Sequence, residues 1–98
     1  MKKILILNGP NINLLHLRDK SQYGHSSLEN IEKDCLELAL QIGIDLQLRQ
    51  TNSEGGMVEE IQDAINKFDA IIVNAAGYTH TSVAIRDALE IFKGIKIE

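Results

Sequence analysis

The sequence has no tryptophan and only two tyrosines and two phenylalanines, so aliphatic side chains must build its core. A single cysteine, Cys35, excludes a disulfide framework within the chain and fits a buried thiol in a reducing compartment. The expected address is therefore the cytoplasm. No apolar run approaches the roughly 18–20 residues that a bilayer-spanning helix needs, so no membrane association is expected. The segment Met1-Lys2-Lys3-Ile4-Leu5-Ile6-Leu7 begins like a secretory leader, but its apolar part stops after four residues at Asn8-Gly9-Pro10. It reads better as a first strand. A basic excess is also missing. Lys and Arg number 10 against 14 Asp and Glu, for a net charge of −4. That is the wrong sign for a phosphate-backbone footprint, and no nucleic-acid partner is expected.

What is present is an ordinary apolar content of 44% spread over 98 residues. That length predicts one domain, residues 1–98, burying about 60–65% of its unfolded surface. Ile4 to Leu7 form a continuous apolar run, the pattern of a parallel strand covered on both faces. Ser26-Ser27 offers an N-cap, with Glu29 and Glu32 suited to the positive end of a helix dipole. Leu28, Ile31, Cys35, Leu38 and Ile42 follow at helical spacing, predicting a core-facing stripe that Gly43 ends. Leu46, Leu48 and the residues to Thr51 alternate with polar ones, as an edge or half-exposed strand would. Asn52 or Ser53 is placed to cap a second helix whose stripe is Met57 or Val58, Ile61, Ile65 and Phe68.

Asp69 to Ala75 predict the central strand, and a third helix is expected from about Thr81 through Phe92, stopped by Gly94. Ile95 to Glu98 begin a fourth strand. Strand and helix alternating at this spacing imply right-handed βαβ units and a doubly wound parallel sheet. The alternation stops inside that strand with no covering helix after it. This predicts either a piece of a larger domain or an edge completed by another subunit.

Three common α/β signatures are missing. There is no G-x-x-x-x-G-K-S/T loop, no G-x-G-x-x-G after the first strand, and no acidic pair at its end. His25 and His80 sit in different loops without a paired Cys or helical His spacing, so no metal site is expected. Two strand-end loops remain, Asn8 to Tyr23 and Asn74 to Ser82. In a parallel sheet the ends of the first and third strands are neighbours, and ligands bind where such ends part. The two loops together offer Asn8, Asn11, Asn13, Arg18, Tyr23, Asn74, His80, Thr81 and Ser82. This set is rich in hydrogen bonding, carries one cation and lacks a nucleophilic thiol. It suits a small polyhydroxylated or carboxylated substrate and proton transfer.

Taken singly, each residue has a structural reading: Pro10 as a turn former, Tyr23 as a loop-packing phenol, Asn74 as a strand-end cap. Asp87 alone reads as part of a solvated helix face. Their joint occurrence in order changes the odds. Leu7-Asn8-Gly9-Pro10-Asn11-Ile12-Asn13-Leu14-Leu15, then Arg18 and Tyr23-Gly24, resemble the opening of type II 3-dehydroquinate dehydratases. So do Arg49-Gln50-Thr51-Asn52-Ser53-Glu54-Gly55 and the run from Asn74 to Ala88. The resemblance spans the chain. It implies a flavodoxin-like α/β fold of three layers, αβα, with strand order 2-1-3-4. It also implies trimers grouped into dodecamers and the dehydration of 3-dehydroquinate through an enolate, with no cofactor. By position, Tyr23 would remove the C2 proton, Arg18 would favour its phenolate, and Asn11 would stabilise the enolate through a water. Asn74 and His80 would hold substrate hydroxyls, and Asp87 would reach a neighbouring subunit's site near Arg18.

Elementary electrostatics is consistent with these roles. A phenol with an ordinary pKa of about 10 is ionised about one part in a thousand at neutral pH, a deficit of about 4 kcal/mol. One guanidinium at contact distance offsets about that much at an effective dielectric near 20, but only about 1 kcal/mol in bulk water. Arg18 therefore requires a closed, dry loop. Three departures from the family pattern stand out. His16 follows the Leu-Leu pair where Gly is common, and Arg18-Asp19-Lys20 stands where Arg-Glu-Pro is usual. The family also continues past the position of Glu98 into a segment carrying the general-acid His. Missing a general acid costs about 10²–10⁴-fold, so this 98-residue form is expected to be inactive alone. The competing expectation is a catalytically inactive flavodoxin-like module for ligand binding or oligomerisation.

Overall fold

Every second residue of Lys2–Asn8 points to the same side, and Leu5 and Leu7 are fully buried while Ile4 and Ile6 are half-buried. This strand, β1, lies inside a four-stranded sheet in the computed structural model, which describes residues 1–10, 28–76 and 82–98. The remaining elements follow in order: α1 (Leu28–Ile42), β2 (Ile44–Gln50), α2 (Glu54–Ala64), β3 (Ala70–Asn74), α3 (Val83–Ile91) and β4 (Ile95–Ile97). The sheet runs β2-β1-β3-β4 with every pairing parallel. This is the doubly wound, flavodoxin-like order. Right-handed crossovers put α1 on one face, because β1 to β2 runs one way along the sheet. They put α2 and α3 on the other, because β2 to β3 to β4 runs back.

The core lies under α2 and α3. Leu5, Leu7, Ile71 and Val73 from the sheet meet Met57, Ile61 and Ala64 of α2, and Ile85, Ala88, Leu89 and Phe92 on the α3 side. Each large aliphatic side chain fully buried there contributes about 1.5–3 kcal/mol. Ser53 caps α2 by accepting from the Gly56 N–H at 3.1 Å, and Ser82 caps α3 by accepting from the Ile85 N–H at 3.0 Å. The α2 helix stops sooner than its apolar spacing predicts. Asn66 takes a left-handed φ of 66°, which a short polar residue tolerates. The Lys67 and Phe68 N–H groups both donate to the Ala64 carbonyl, at 3.0 and 3.1 Å. Ile65 and Phe68 still pack against the core, from the turn rather than the helix.

The stripe of α1 departs further from expectation. The helix spans the predicted residues and ends at Gly43, whose φ of 76° is the left-handed conformation of a helix stop. Yet Leu38 is 55% exposed and Ile42 59%, and among the described side chains of the helix Ala39 is the buried apolar one. Cys35, expected in the core, is only half-buried. The reason is coverage. Among the described residues α1 alone lies on its face of a four-stranded sheet, packed toward β2, and a stripe is buried only where something opposes it. The caps expected at Ser26-Ser27 lie outside the described residues.

Candidate active site at the carboxyl ends of the strands

The parallel register lines up Gln50, Asn8 and Asn74 as the last residues of β2, β1 and β3. The chain leaving each strand is then tied to its neighbour. Gly9 N–H donates to the Asn74 carbonyl at 2.7 Å, and Thr51 N–H donates to the Asn8 carbonyl at 3.0 Å. The two loops singled out in the sequence therefore start side by side on one rim, as a switch-point site requires. Gly9 is essential to this approach. A Cβ there would stand 2.9 Å from the Ala75 carbonyl oxygen and 3.0 Å from that of Asn74.

Asn74 sits exposed at the rim, and its Oδ1 accepts from the Ala76 N–H at 3.3 Å. Ala76 has a φ of 51°, a left-handed conformation costing a non-glycine residue about 1–2 kcal/mol. The turn bends the backbone back over the strand end and engages the oxygen of the Asn74 carboxamide, leaving its amino group to donate to a ligand. Beside it lies a cavity of about 150 Å³ lined by Val73, Asn74, Ala75, Ser82, Ile85, Arg86, Leu89 and Glu98. It has an apolar floor from β3 and α3 and a polar mouth carrying an amide, a guanidinium and a carboxylate.

Of the sequence-predicted site residues, Asn74 is at this rim. Asp87 is exposed on the outer face of α3, one residue past the cavity-lining Arg86. Asn11, Arg18, Tyr23 and His80 lie outside the described residues, as do Asn13, His16, Asp19-Lys20 and His25. Three residues that sequence reasoning passed over are brought to the rim: Gln50, Arg86 and Glu98. Gln50 donates from Nε2 to the Gly9 carbonyl at 3.2 Å and to Asn52 Oδ1 at 3.0 Å. A polar residue at each strand end was the available signal, but only the register shows which ends meet. Among the described residues no group of three or more His, Cys, Asp or Glu is placed to hold a metal. No described helix is long and apolar enough to cross a membrane.

Comparison with known proteins identifies the family. The family model described as dehydroquinase class II matches residues 2–98. Catabolic 3-dehydroquinase 1 of Fusarium vanettenii is 52% identical over 86 residues, covering 88% of this chain and 60% of that protein. The 3-dehydroquinate dehydratase of Endomicrobium trichonymphae is 52% identical over 89 residues, covering 91% of this chain and 62% of that protein. The crystal structure of a type II dehydroquinase from Butyrivibrio crossotus superposes with a TM-score of 0.92 at 39% identity, covering 97% of this chain and 67% of that one. The chain thus spans about 60% of the length of these two curated relatives.

Proposed function

The chain belongs to the dehydroquinase class II family, and from that premise we propose that it acts as a hydro-lyase on 3-dehydroquinate. It dehydrates the substrate to 3-dehydroshikimate through an enolate, in the shikimate route to aromatic amino acids. Tyr23, as phenolate, takes the C2 proton. Arg18 lowers the cost of that phenolate, and Asn11 stabilises the enolate through a water. Asn74 and His80 hold the substrate's hydroxyl groups. The observation that carries this reading is the register pairing of Asn8 with Asn74, which starts the Tyr23-bearing and His80-bearing loops side by side. The Asn74 turn adds support, because its engaged oxygen leaves the amino group to donate to a substrate hydroxyl.

The working form in this proposal is a cytoplasmic homo-oligomer of trimers, grouped as a dodecamer. Asp87 reaches a neighbouring subunit's site near Arg18. Its exposure on α3 is consistent with that reach, and the exposed Leu38, Ile42, Ile95 and Ile97 favour an assembled state. The test is to add 3-dehydroquinate and follow the ultraviolet absorbance of the conjugated enone product. Turnover by the wild type that is lost in Tyr23→Phe supports the reading. Binding without turnover would instead assign the chain as a ligand-binding or oligomerisation module.

A further inference from the structure

We propose that Gln50 is a positioning residue that fixes the Gly9-Pro10 peptide at the exit of β1, by donating a hydrogen bond to the carbonyl of Gly9. The kinetic part of this inference rests on the proposed function. The Arg49 to Gly55 stretch carries one of the motifs at the strand ends, yet no chemistry is assigned to it. Its structural role is specific. Gly9 is held from both sides, with its N–H on the Asn74 carbonyl at 2.7 Å and its own carbonyl accepting from Gln50 Nε2 at 3.2 Å. Asn8 is tied in the same way by the Thr51 N–H.

The carbonyl that Gln50 holds is that of the Gly9-Pro10 bond. Proline fixes its own φ near about −65° and has no N–H to anchor. The orientation of this peptide at the exit of β1 is therefore secured through its oxygen. Water could satisfy that oxygen at a strand end, but water would impose no direction. A half-buried side chain from the adjoining strand does. Glutamine also matches the electrostatics. Its amino group is shared between two acceptors, the Gly9 carbonyl and Asn52 Oδ1 at 3.0 Å. A carboxylate of the same shape would present only acceptors to both. A misplacement of about 1 Å in a reacting group costs on the order of 10²-fold in rate, so a loosened exit from β1 should be visible in turnover.

The experiment compares Gln50→Glu and Gln50→Met with the wild type in the full chain. The neutral Glu donates to the Gly9 carbonyl and its anion cannot, so the variant's carboxyl pKa is raised. The defect is then present above that pKa and recedes as pH falls through it. Expected is a loss of about tenfold or more in kcat at about pH 8 for both variants. Taken as a ratio to wild type at each pH, Gln50→Glu recovers toward unity by about pH 5, while Gln50→Met stays low throughout. Protection of the Gly9 amide against hydrogen exchange follows the same pattern by nuclear magnetic resonance. A ratio near unity that is flat with pH, or equal pH-independent losses in both variants with Gly9 protection unchanged, would overturn the proposal. If the wild type fails to turn over 3-dehydroquinate, the functional reading falls by itself. The exchange comparison then decides alone, with unchanged Gly9 protection refuting the role of Gln50.

Discussion

Replacing Gly9 with alanine tests whether the meeting of β1 and β3 is as tight as the site requires. The added Cβ would stand 2.9 Å from the Ala75 carbonyl oxygen, 3.0 Å from its carbon and 3.0 Å from the Asn74 oxygen. Ordinary contact begins at 3.4 Å, so the shortfall is 3.4 minus 2.9, or 0.5 Å. All three atoms are backbone and cannot rotate aside as a side chain would. The strands must separate by about that amount, stretching the 2.7 Å bond from Gly9 N–H to Asn74. Overpacking costs about 1–3 kcal/mol and a weakened hydrogen bond about 1 kcal/mol, together about 2–4 kcal/mol. For a chain of this size that lowers Tm by about 8–32 °C. Urea unfolding followed by circular dichroism gives the free energy directly. Gly43→Ala is the control, since nothing lies within 4 Å of its Cβ and only its φ of 76° resists the change. It should cost about 1–2 kcal/mol. A Gly9→Ala protein as stable as wild type, or no more damaged than Gly43→Ala, would refute the reasoning.

Ile61→Ala, at a fully buried position under the sheet, should cost about 2–5 kcal/mol in urea unfolding. Leu38→Ala, on a helix stripe of equal apolar character but 55% exposed, should cost under about 1 kcal/mol in the monomer. Ser82→Ala removes the buried cap of α3 and should cost about 1–2 kcal/mol. The same change at the exposed Ser53 cap should fall near about 0.5 kcal/mol, both read from denaturation midpoints. Asn74→Asp keeps the oxygen that accepts from Ala76 but loses the donor proposed to hold a substrate hydroxyl. Turnover of 3-dehydroquinate should fall by about 10²-fold while Tm moves by no more than a few degrees.

The strands and helices were legible because their signals are local. The apolar run Ile4–Leu7, the helical spacing from Leu28 to Ile42 and the Asn52-Ser53 pair before α2 each act within a few residues. Alternation of the two periods, with right-handed crossovers, then leaves few topologies open, and the parallel sheet followed. Boundaries were less legible where one residue overrode the pattern. Apolar spacing carries α2 on to Phe68, but the left-handed Asn66 turns the chain earlier. Asn74 was readable as a candidate site residue from its place at a strand end. Gln50 was not, because nothing along the chain says that its amide meets a carbonyl 41 positions away.

The amino-acid order by itself determined the elements, their sequence, the parallel sheet and the loops in which polar groups gather. These depend on periodicity, caps and chirality, which are properties of neighbouring residues. Only the tertiary structure decided which apolar stripe is covered, how closely Gly9 approaches Ala75, and that Glu98 and Arg86 line the same cavity as Asn74. Those outcomes depend on register and on what stands opposite each face, and both belong to pairs of segments far apart in the chain.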